Sequence, residues 1–404
     1  MTGRYQRACR LFTVALAAAV LDATPGQAVQ AAADPPDGVI TWGASADRVG
    51  EAGADRGYRM VVHTSVGGSG LRIRLSNAYG DRPVTFDSVY AGLQKEGPEL
   101  VRGSNRRLTF AGERSVTVPA GATALSDPRP GRLPAASNLV ISIHSPDAEG
   151  PVTGHWMALQ TSYATQGDHT AEESGAHWTG RMGSWFYLDA VSVRTRPRTG
   201  AVVVVGDSVT DGWHSTSDRN RRWPDYLARR LQRAGTAVKG VANEGIAGNK
   251  ILADGDGQSA LNRLDRDVLA QPGVRTVFLF EGVNDIKAHT GVTAQDLIDG
   301  YRTIIDRAHT AGKCVVGATI APFKGWSEWD PAAEAVRRDV NAFIRGSGEF
   351  DAVADFDRVL RSPYDHQRIR PAFDGGDHLH PNDRGMQAMA DAVDLTDLDC
   401  GRRR

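Results

Sequence analysis

The segment Val202-Val203-Val204-Val205-Gly206-Asp207-Ser208-Val209-Thr210-Asp211-Gly212 constrains this chain more than any other, because a wholly apolar, β-branched run passes straight into a Gly-Asp-Ser turn. Four consecutive valines lose little by being extended, and they predict a strand buried on both faces, as in a parallel sheet. Ser208 then falls at the strand's carboxyl end, where open α/β sheets bind their ligands. Taken alone, Gly206-Asp207-Ser208 reads equally well as a plain strand-to-helix turn with an N-capping serine. Partners elsewhere in the chain have to decide.

Three later runs supply them. Val238-Lys239-Gly240-Val241-Ala242 leads into Asn243-Glu244-Gly245-Ile246-Ala247-Gly248-Asn249; Thr276-Val277-Phe278-Leu279-Phe280 precedes Gly282-Val283-Asn284-Asp285; and Asp377-His378-Leu379-His380-Pro381-Asn382 precedes a helix-like run from about Asp383. In order and spacing these blocks resemble the SGNH or GDSL hydrolase family, whose four blocks carry a serine, a glycine, an asparagine and a histidine. The resemblance covers about residue 200 to about residue 394 and implies a flavodoxin-like three-layer α/β/α core. Carried over residue by residue, it implies catalytic Ser208, Asp377 and His380, with an oxyanion hole at Ser208, Gly248 and Asn284.

The residue types suit that chemistry on physical grounds. A serine hydroxyl is a poor nucleophile at neutral pH and needs a base within hydrogen-bond reach, which a histidine provides. His380 would take the Ser208 proton and return it to the leaving alcohol, while an ionised Asp377 fixes the imidazole tautomer. Donors aimed at the developing oxyanion are each worth about 10²–10³ in rate. Glycine at 248 lets backbone approach substrate closely.

Each position also has a plainer reading. His380 before Pro381 could be a loop residue packed on the last helix; His378 competes as the base, but Asp-x-x-His followed by Pro selects His380. Asn284 and Asp285 could cap the following helix, Asp207 and Asp211 could hold turn amides, and Asn243 could brace the neighbouring loop. Asp207, Asp211, Asp285, His378 and His380 together suggest a metal, yet the chain lacks a paired spacing such as His-Glu-x-x-His, so no metal and no cofactor are expected. The serine is not in a Gly-x-Ser-x-Gly elbow, which argues against an α/β-hydrolase, and no Gly-x-x-x-x-Gly-Lys-Ser/Thr loop follows the first strand of this core.

The first residues indicate a destination. Arg4, Arg7 and Arg10 precede the apolar run 11–21, too short to cross a bilayer and suited to a signal peptide, with cleavage near Ala31-Ala32-Ala33 or near Gly26-Gln27-Ala28. An exported protein, secreted by the general secretory route, is the expectation. Cys9 falls in this segment, leaving Cys314 and Cys400 either to pair in an oxidising compartment or to remain free thiols. Setting residues 1–33 aside removes three arginines and one aspartate, taking the formal charge from −1 to −3. That balance gives no support to nucleic-acid binding. An ester is the expected partner, whether a small ester, an acetylated polysaccharide or a lipid, with no integral membrane segment and no obligate protein partner.

The pattern changes near residue 196. Before it, short alternating runs such as 70–76, 82–86, 115–119 and 138–143 are separated by Gly/Pro/Asp turns and read as an antiparallel β-sandwich. After Arg196-Pro197-Arg198-Thr199-Gly200, apolar strands near 202–206, 238–242, 276–281, 314–320 and 352–356 alternate with helices around 223–234, 258–269, 294–311, 331–346 and 383–393. The expected organisation is therefore a signal peptide over 1–33, a β-sandwich-like accessory domain over 34–196 and a hydrolase domain over 197–404. Trp156, Trp178, Trp185, Phe186 and Tyr187 in the β-region suit either sugar stacking or the core. Trp213, Phe323, Trp326 and Trp329 are candidates for the substrate pocket, and His214 shares the position of Trp213 just after the Ser208 turn. The leading expectation is a secreted serine hydrolase of short-chain or acetyl esters. The alternatives are a lipase or phospholipase, acyl transfer to a second alcohol, or a non-catalytic carbohydrate-binding protein.

Overall fold

The computed structural model describes residues 38–147 and 150–399. The expected signal peptide and Cys400 lie outside the described residues; Cys314 is disulfide-bonded.

The β-region is built on two antiparallel sheets. One orders β1 (Gly38–Gly43), β7 (Leu188–Arg194) and β3 (Gly68–Ser76) side by side. The other has β2 (Arg56–His63), β5 (Asn138–Ser145) and β4 (Ser88–Glu96) at its centre, with β5 paired to both neighbours. Alternation along these strands sends Ile73 and Leu75 from one sheet, and Met60, Val62, Ile141 and Ile143 from the other, into a shared core. A smaller three-stranded sheet contains β6 (Gly150–His155), which carries residues toward the second half of the chain.

The second half forms a five-stranded parallel sheet. Its strands are β8 (Gly200–Gly206), β9 (Val238–Gly245), β10 (Val274–Phe280), β11 (Cys314–Ala318) and β12 (Ala352–Ala354). Numbered within this sheet from β8, the spatial order is 2-1-3-4-5, the flavodoxin-like order expected from the sequence. The valines of β8 divide with period two: Val203 and Val205 join the core that continues into the β-region, while Val202 and Val204 face Trp223, Leu227 and Met386 on the opposite side. Each buried valine stabilises by roughly 1.5–3 kcal/mol relative to exposure, so any shift in register would be costly.

Helices cover both faces. α1 (Ser208–Asp211) follows β8 directly, and α2 (Trp223–Arg233) buries Trp223, Leu227 and Leu231. α3 (Val283–Lys287) follows β10, and α4 (Ala294–Thr310) opens on a capping box of Thr293 and Asp296. α5 (Pro331–Gly346) begins at its capping Asp330, and α6 (Asp383–Ala392) begins at Asn382. The expected helix over 258–269 is divided, with α-helix over Ala260–Leu264 passing into a π-turn over Asp265–Leu269.

The two halves meet through close backbone approach. Ile40 donates its amide to the Pro272 carbonyl at 2.8 Å, and Ser65 Oγ accepts the Val241 amide at 2.9 Å. A Cβ on Gly240 of β9 would stand 2.4 Å from the Ile40 carbonyl oxygen, so only glycine admits β1 at this distance.

Candidate active site

The nucleophile candidate is presented by a cap. β8 ends at Gly206, and the Asp207 carboxylate accepts the Val209 amide at 3.0 Å, capping α1 and placing Ser208 at its first residue. Burial is the main reason that the Asp207 carboxyl is pushed up to about 7. Gly212, at φ 109°, closes the four-residue helix.

Ser208, His380 and Asp377 form a hydrogen-bonded series. Ser208 Oγ lies 2.8 Å from His380 Nε2, and His380 Nδ1 lies 2.7 Å from Asp377 Oδ2. The other Asp377 oxygen accepts the amides of Leu379 at 3.0 Å and His380 at 2.9 Å, so one carboxylate fixes both the ring and the backbone that carries it. Burial alone would raise the Asp377 pKa, but the His380 ring N–H and these two amides outweigh it and hold the carboxyl well below the usual carboxylate range. His378, the competing histidine, bonds Asp374 instead, at 2.6 Å. His380 is buried, with Trp326 edge-on to its ring at 5.8 Å and Trp213 tilted against it at 5.9 Å.

Gly248 and Asn284 border the same cleft as Ser208 and His380. Gly248 has φ +84°, and a Cβ there would meet the Asp256 carboxylate at 2.1 Å. Its need for glycine is thus met first by conformation and by Asp256, rather than by substrate alone. Asn284 is buried on α3 and donates one Nδ2 hydrogen to the Asn249 carbonyl at 2.8 Å, which orients its amide and leaves the second hydrogen for the cleft. Asp285 does not cap α3. Its two oxygens accept the amides of Ile251 at 2.9 Å and Leu252 at 3.0 Å, tying the turn after Gly248 to α3. Asn243 braces the other side, donating to the Thr210 carbonyl at 2.7 Å.

The aromatic expectations divide. Trp213 and Trp326 line the cleft, whose volume is about 280 Å³. Phe323 does not: it is fully buried in the core, and Trp329 packs half-buried against that core instead of facing the cleft. Successive reversals explain the difference, because the Trp326 amide bonds the Phe323 carbonyl and the Trp329 amide bonds the Trp326 carbonyl, turning the chain every three residues. In the β-region Trp178, Trp185 and Tyr187 are core residues and Phe186 is half-buried. Trp156 is 42% exposed, lines the cleft and lies 6.1 Å from Trp213.

Two residues near the serine have surroundings that the sequence did not indicate: His214, noted there only for its place beside Trp213, and Glu281. His214 Nε2 lies 3.0 Å from the same Asp377 oxygen that bonds His380. Glu281, at the end of β10, is fully enclosed, has neither carboxyl oxygen hydrogen-bonded and is pushed up to about 8, chiefly by burial. Neither position has a spacing signal, since each is defined by what folds around it. Among the described residues, His214, Asp377 and His380 form one group with metal-ligand atoms within 4.8 Å of one another, and His169, Glu172 and His177 form another. In both groups the carboxylate is hydrogen-bonded by the two imidazoles.

The 2-1-3-4-5 parallel sheet is a flavodoxin-like α/β core, and it carries a serine, a histidine and a carboxylate in hydrogen-bonded series at its carboxyl edge. Residues 204–388 match the model of the GDSL-like lipase/acylhydrolase family. That match supports a hydrolase acting on esters. Among solved structures, the chain is similar to a carbohydrate acetylesterase from Sinorhizobium meliloti at 18% identity and TM-score 0.39, over 48% of this chain and 95% of that one. It is also similar to an aryl esterase from M. smegmatis at 17% identity and TM-score 0.39, over 48% and 95%. A third is an acetylxylan esterase from Geobacillus stearothermophilus, at 19% identity and TM-score 0.38 over 50% and 96%. No curated protein matches the chain.

Proposed function

We propose that this protein is an exported serine esterase that cleaves short-chain or acetyl carboxylic esters through an acyl-enzyme on Ser208. The observation that carries the reading is the series Ser208 Oγ, His380, Asp377, with separations of 2.8 and 2.7 Å, opening on the cleft. His380 Nε2 accepts the hydroxyl proton as Ser208 Oγ bonds the ester carbonyl carbon. The carbonyl oxygen takes up the negative charge beside the amides of Ser208 and Gly248 and the free Nδ2 hydrogen of Asn284. As the C–O bond breaks, His380 passes the proton to the leaving alcohol, and water repeats the sequence to release the acid.

The short acyl preference rests on the cleft's walls. Asp256 and Lys287 stand among its lining residues, and laying a long alkyl chain against them would desolvate charge without replacing its hydrogen bonds. Export rests on the basic and apolar character of residues 4–21.

Hydrolysis of p-nitrophenyl acetate, butyrate, octanoate and palmitate by wild type and Ser208→Ala tests the reading. Acetate or butyrate should be cleaved best, with the variant inactive on all four. Equal rates for the two proteins would remove Ser208 from the reaction, and a palmitate optimum would replace the short-chain reading with a lipase.

A further inference from the structure

A histidine from the β-region reaches into the catalytic half. His155 ends β6 with its side chain 4% exposed, and its partner Asp211, the last residue of α1, is 3% exposed. His155 Nδ1 is 2.9 Å from the Ser45 carbonyl oxygen, and Nε2 is 2.9 Å from Asp211 Oδ1 and 3.2 Å from the Met157 carbonyl oxygen. All three partners are acceptors, so each ring nitrogen must carry a hydrogen, and the ring is an imidazolium. Burial acts against the charged form, but Asp211 outweighs it and the pKa is raised.

Asp211 carries the connection onward. Its Oδ2 accepts the amide of Ala247, the residue before Gly248, at 3.1 Å, and its carbonyl accepts from Arg222 Nε at 2.7 Å. One carboxylate therefore ties the helix that begins at Ser208 to the turn that carries Gly248, and a cation from the β-region balances its charge. We infer that His155 is a positioning residue for the oxyanion-binding groups, so that the β-region is a working part of the active site. This inference rests on the serine-esterase reading proposed above.

The physical basis is the cost of an unbalanced buried charge. Removing one partner of a buried ion pair leaves the other without compensation, and the carboxylate must then rotate, take up a proton or draw in water. Each response alters its hold on the Ala247 amide, and about 1 Å of misplacement at a reacting centre costs on the order of 10² in rate. The loss should fall on transition-state stabilisation, because an oxyanion exists only there and in the tetrahedral intermediate.

The full-length protein with His155→Leu, His155→Gln or Asp211→Asn should be assayed with p-nitrophenyl acetate alongside Ser208→Ala. Phenylboronic acid, which forms a tetrahedral adduct with a serine hydroxyl, serves as the probe of oxyanion binding, and active-site titration corrects for the folded fraction. His155→Leu should lower kcat by about 10- to 100-fold with KM within about twofold. Its affinity for phenylboronic acid should fall in parallel, and His155→Gln, which keeps a donor, should recover part of both. Should His155→Leu not fold, Asp211→Asn carries the test, because its amide faces the His155 N–H and should lower kcat and boronate affinity together. Corrected kcat and boronate affinity within twofold of wild type in the folded variants would overturn the inference while Ser208→Ala stays inactive. Equal activity in wild type and Ser208→Ala would instead remove the esterase reading itself.

Discussion

Replacing Asp377 by asparagine isolates the role of one carboxylate with almost no change of volume. Asp377 accepts four hydrogen bonds: Oδ1 takes the Leu379 and His380 amides, and Oδ2 takes His380 Nδ1 and His214 Nε2. An asparagine can accept at only one end. The two backbone amides cannot reverse, so the amide oxygen stays with them and the NH₂ faces His380 Nδ1. That nitrogen must then offer its lone pair, which moves the ring hydrogen to Nε2, 2.8 Å from Ser208 Oγ, where a base is needed. A wrong tautomer in this position costs about 10⁴ in kcat in a serine–histidine–aspartate triad. At about 1.4 kcal/mol per factor of ten, the barrier should rise by about 5.5 kcal/mol. Steady-state hydrolysis of p-nitrophenyl acetate by Asp377→Asn, corrected for the uncatalysed rate, reads this directly, with KM expected within a few-fold of wild type. A loss of less than about tenfold in kcat from a folded variant would refute the tautomer argument and the role given to Asp377.

Asn284→Ala should lower kcat by about 10²–10³ with little effect on KM, because it removes a donor aimed at the oxyanion; a change confined to KM would assign Asn284 to ground-state binding. Glu281 should make the fold less stable as pH rises, since its carboxyl is pushed up to about 8 in the fold and titrates near 4.5 in the unfolded chain. The folded state therefore binds the extra proton between those values, and stability falls across that window. Glu281→Gln should flatten the decline by up to about 1.4 kcal/mol per pH unit in denaturant unfolding at pH 5, 6 and 7, and parallel profiles for the two proteins would contradict it. Trp156→Ala should raise KM about 2- to 10-fold for an acetyl ester of a ring-bearing alcohol and leave ethyl acetate hydrolysis unchanged, as expected for loss of one stacking contact. Equal effects on both esters would place Trp156 outside the alcohol subsite.

What was legible in the sequence follows from how each feature is encoded. β8 could be read from its valines because a strand buried on both faces needs no alternation, and the blocks around Gly248 and Asn284 stood out because each follows a strand-like run. A 2-1-3-4-5 parallel sheet brings the carboxyl ends of such strands together, so Ser208, Gly248 and Asn284 converge without any signal beyond their position after a strand. Asp377 and His380 were legible for a different reason: two residues three positions apart can share one turn and bond each other locally. Phe323 and Trp329 were misassigned to the cleft because position after β11 fixes the edge of the sheet but not the sense of each later turn. Trp156 could not be told from Trp178 or Trp185, since an aromatic side chain among short strands and turns does not show which part of the chain will cover it.

The same limit explains why the β-region reads as an accessory in sequence yet shares a core and a polar network with the catalytic half. Arg263 is fully buried, donating to Asn249 Oδ1 at 3.0 Å and to the Ser45 hydroxyl at 2.7 Å, and that hydroxyl in turn donates to Glu244 Oε2 at 2.8 Å. Ser45 belongs to the β-region, Glu244 to β9 and Asn249 to the turn beside Gly248, so a charge enclosed beneath that turn takes part of its compensation from the other half of the chain. A buried guanidinium left short of acceptors is costly, which gives the β-region an energetic hold on the turn independent of substrate contact. Trp156 extends that hold to the surface, where it forms a wall of the cleft opposite residues of the hydrolase half. Packing, charge compensation and cleft shape thus all cross the change of pattern near residue 196, and a substitution on either side of it can act on the chemistry of the other.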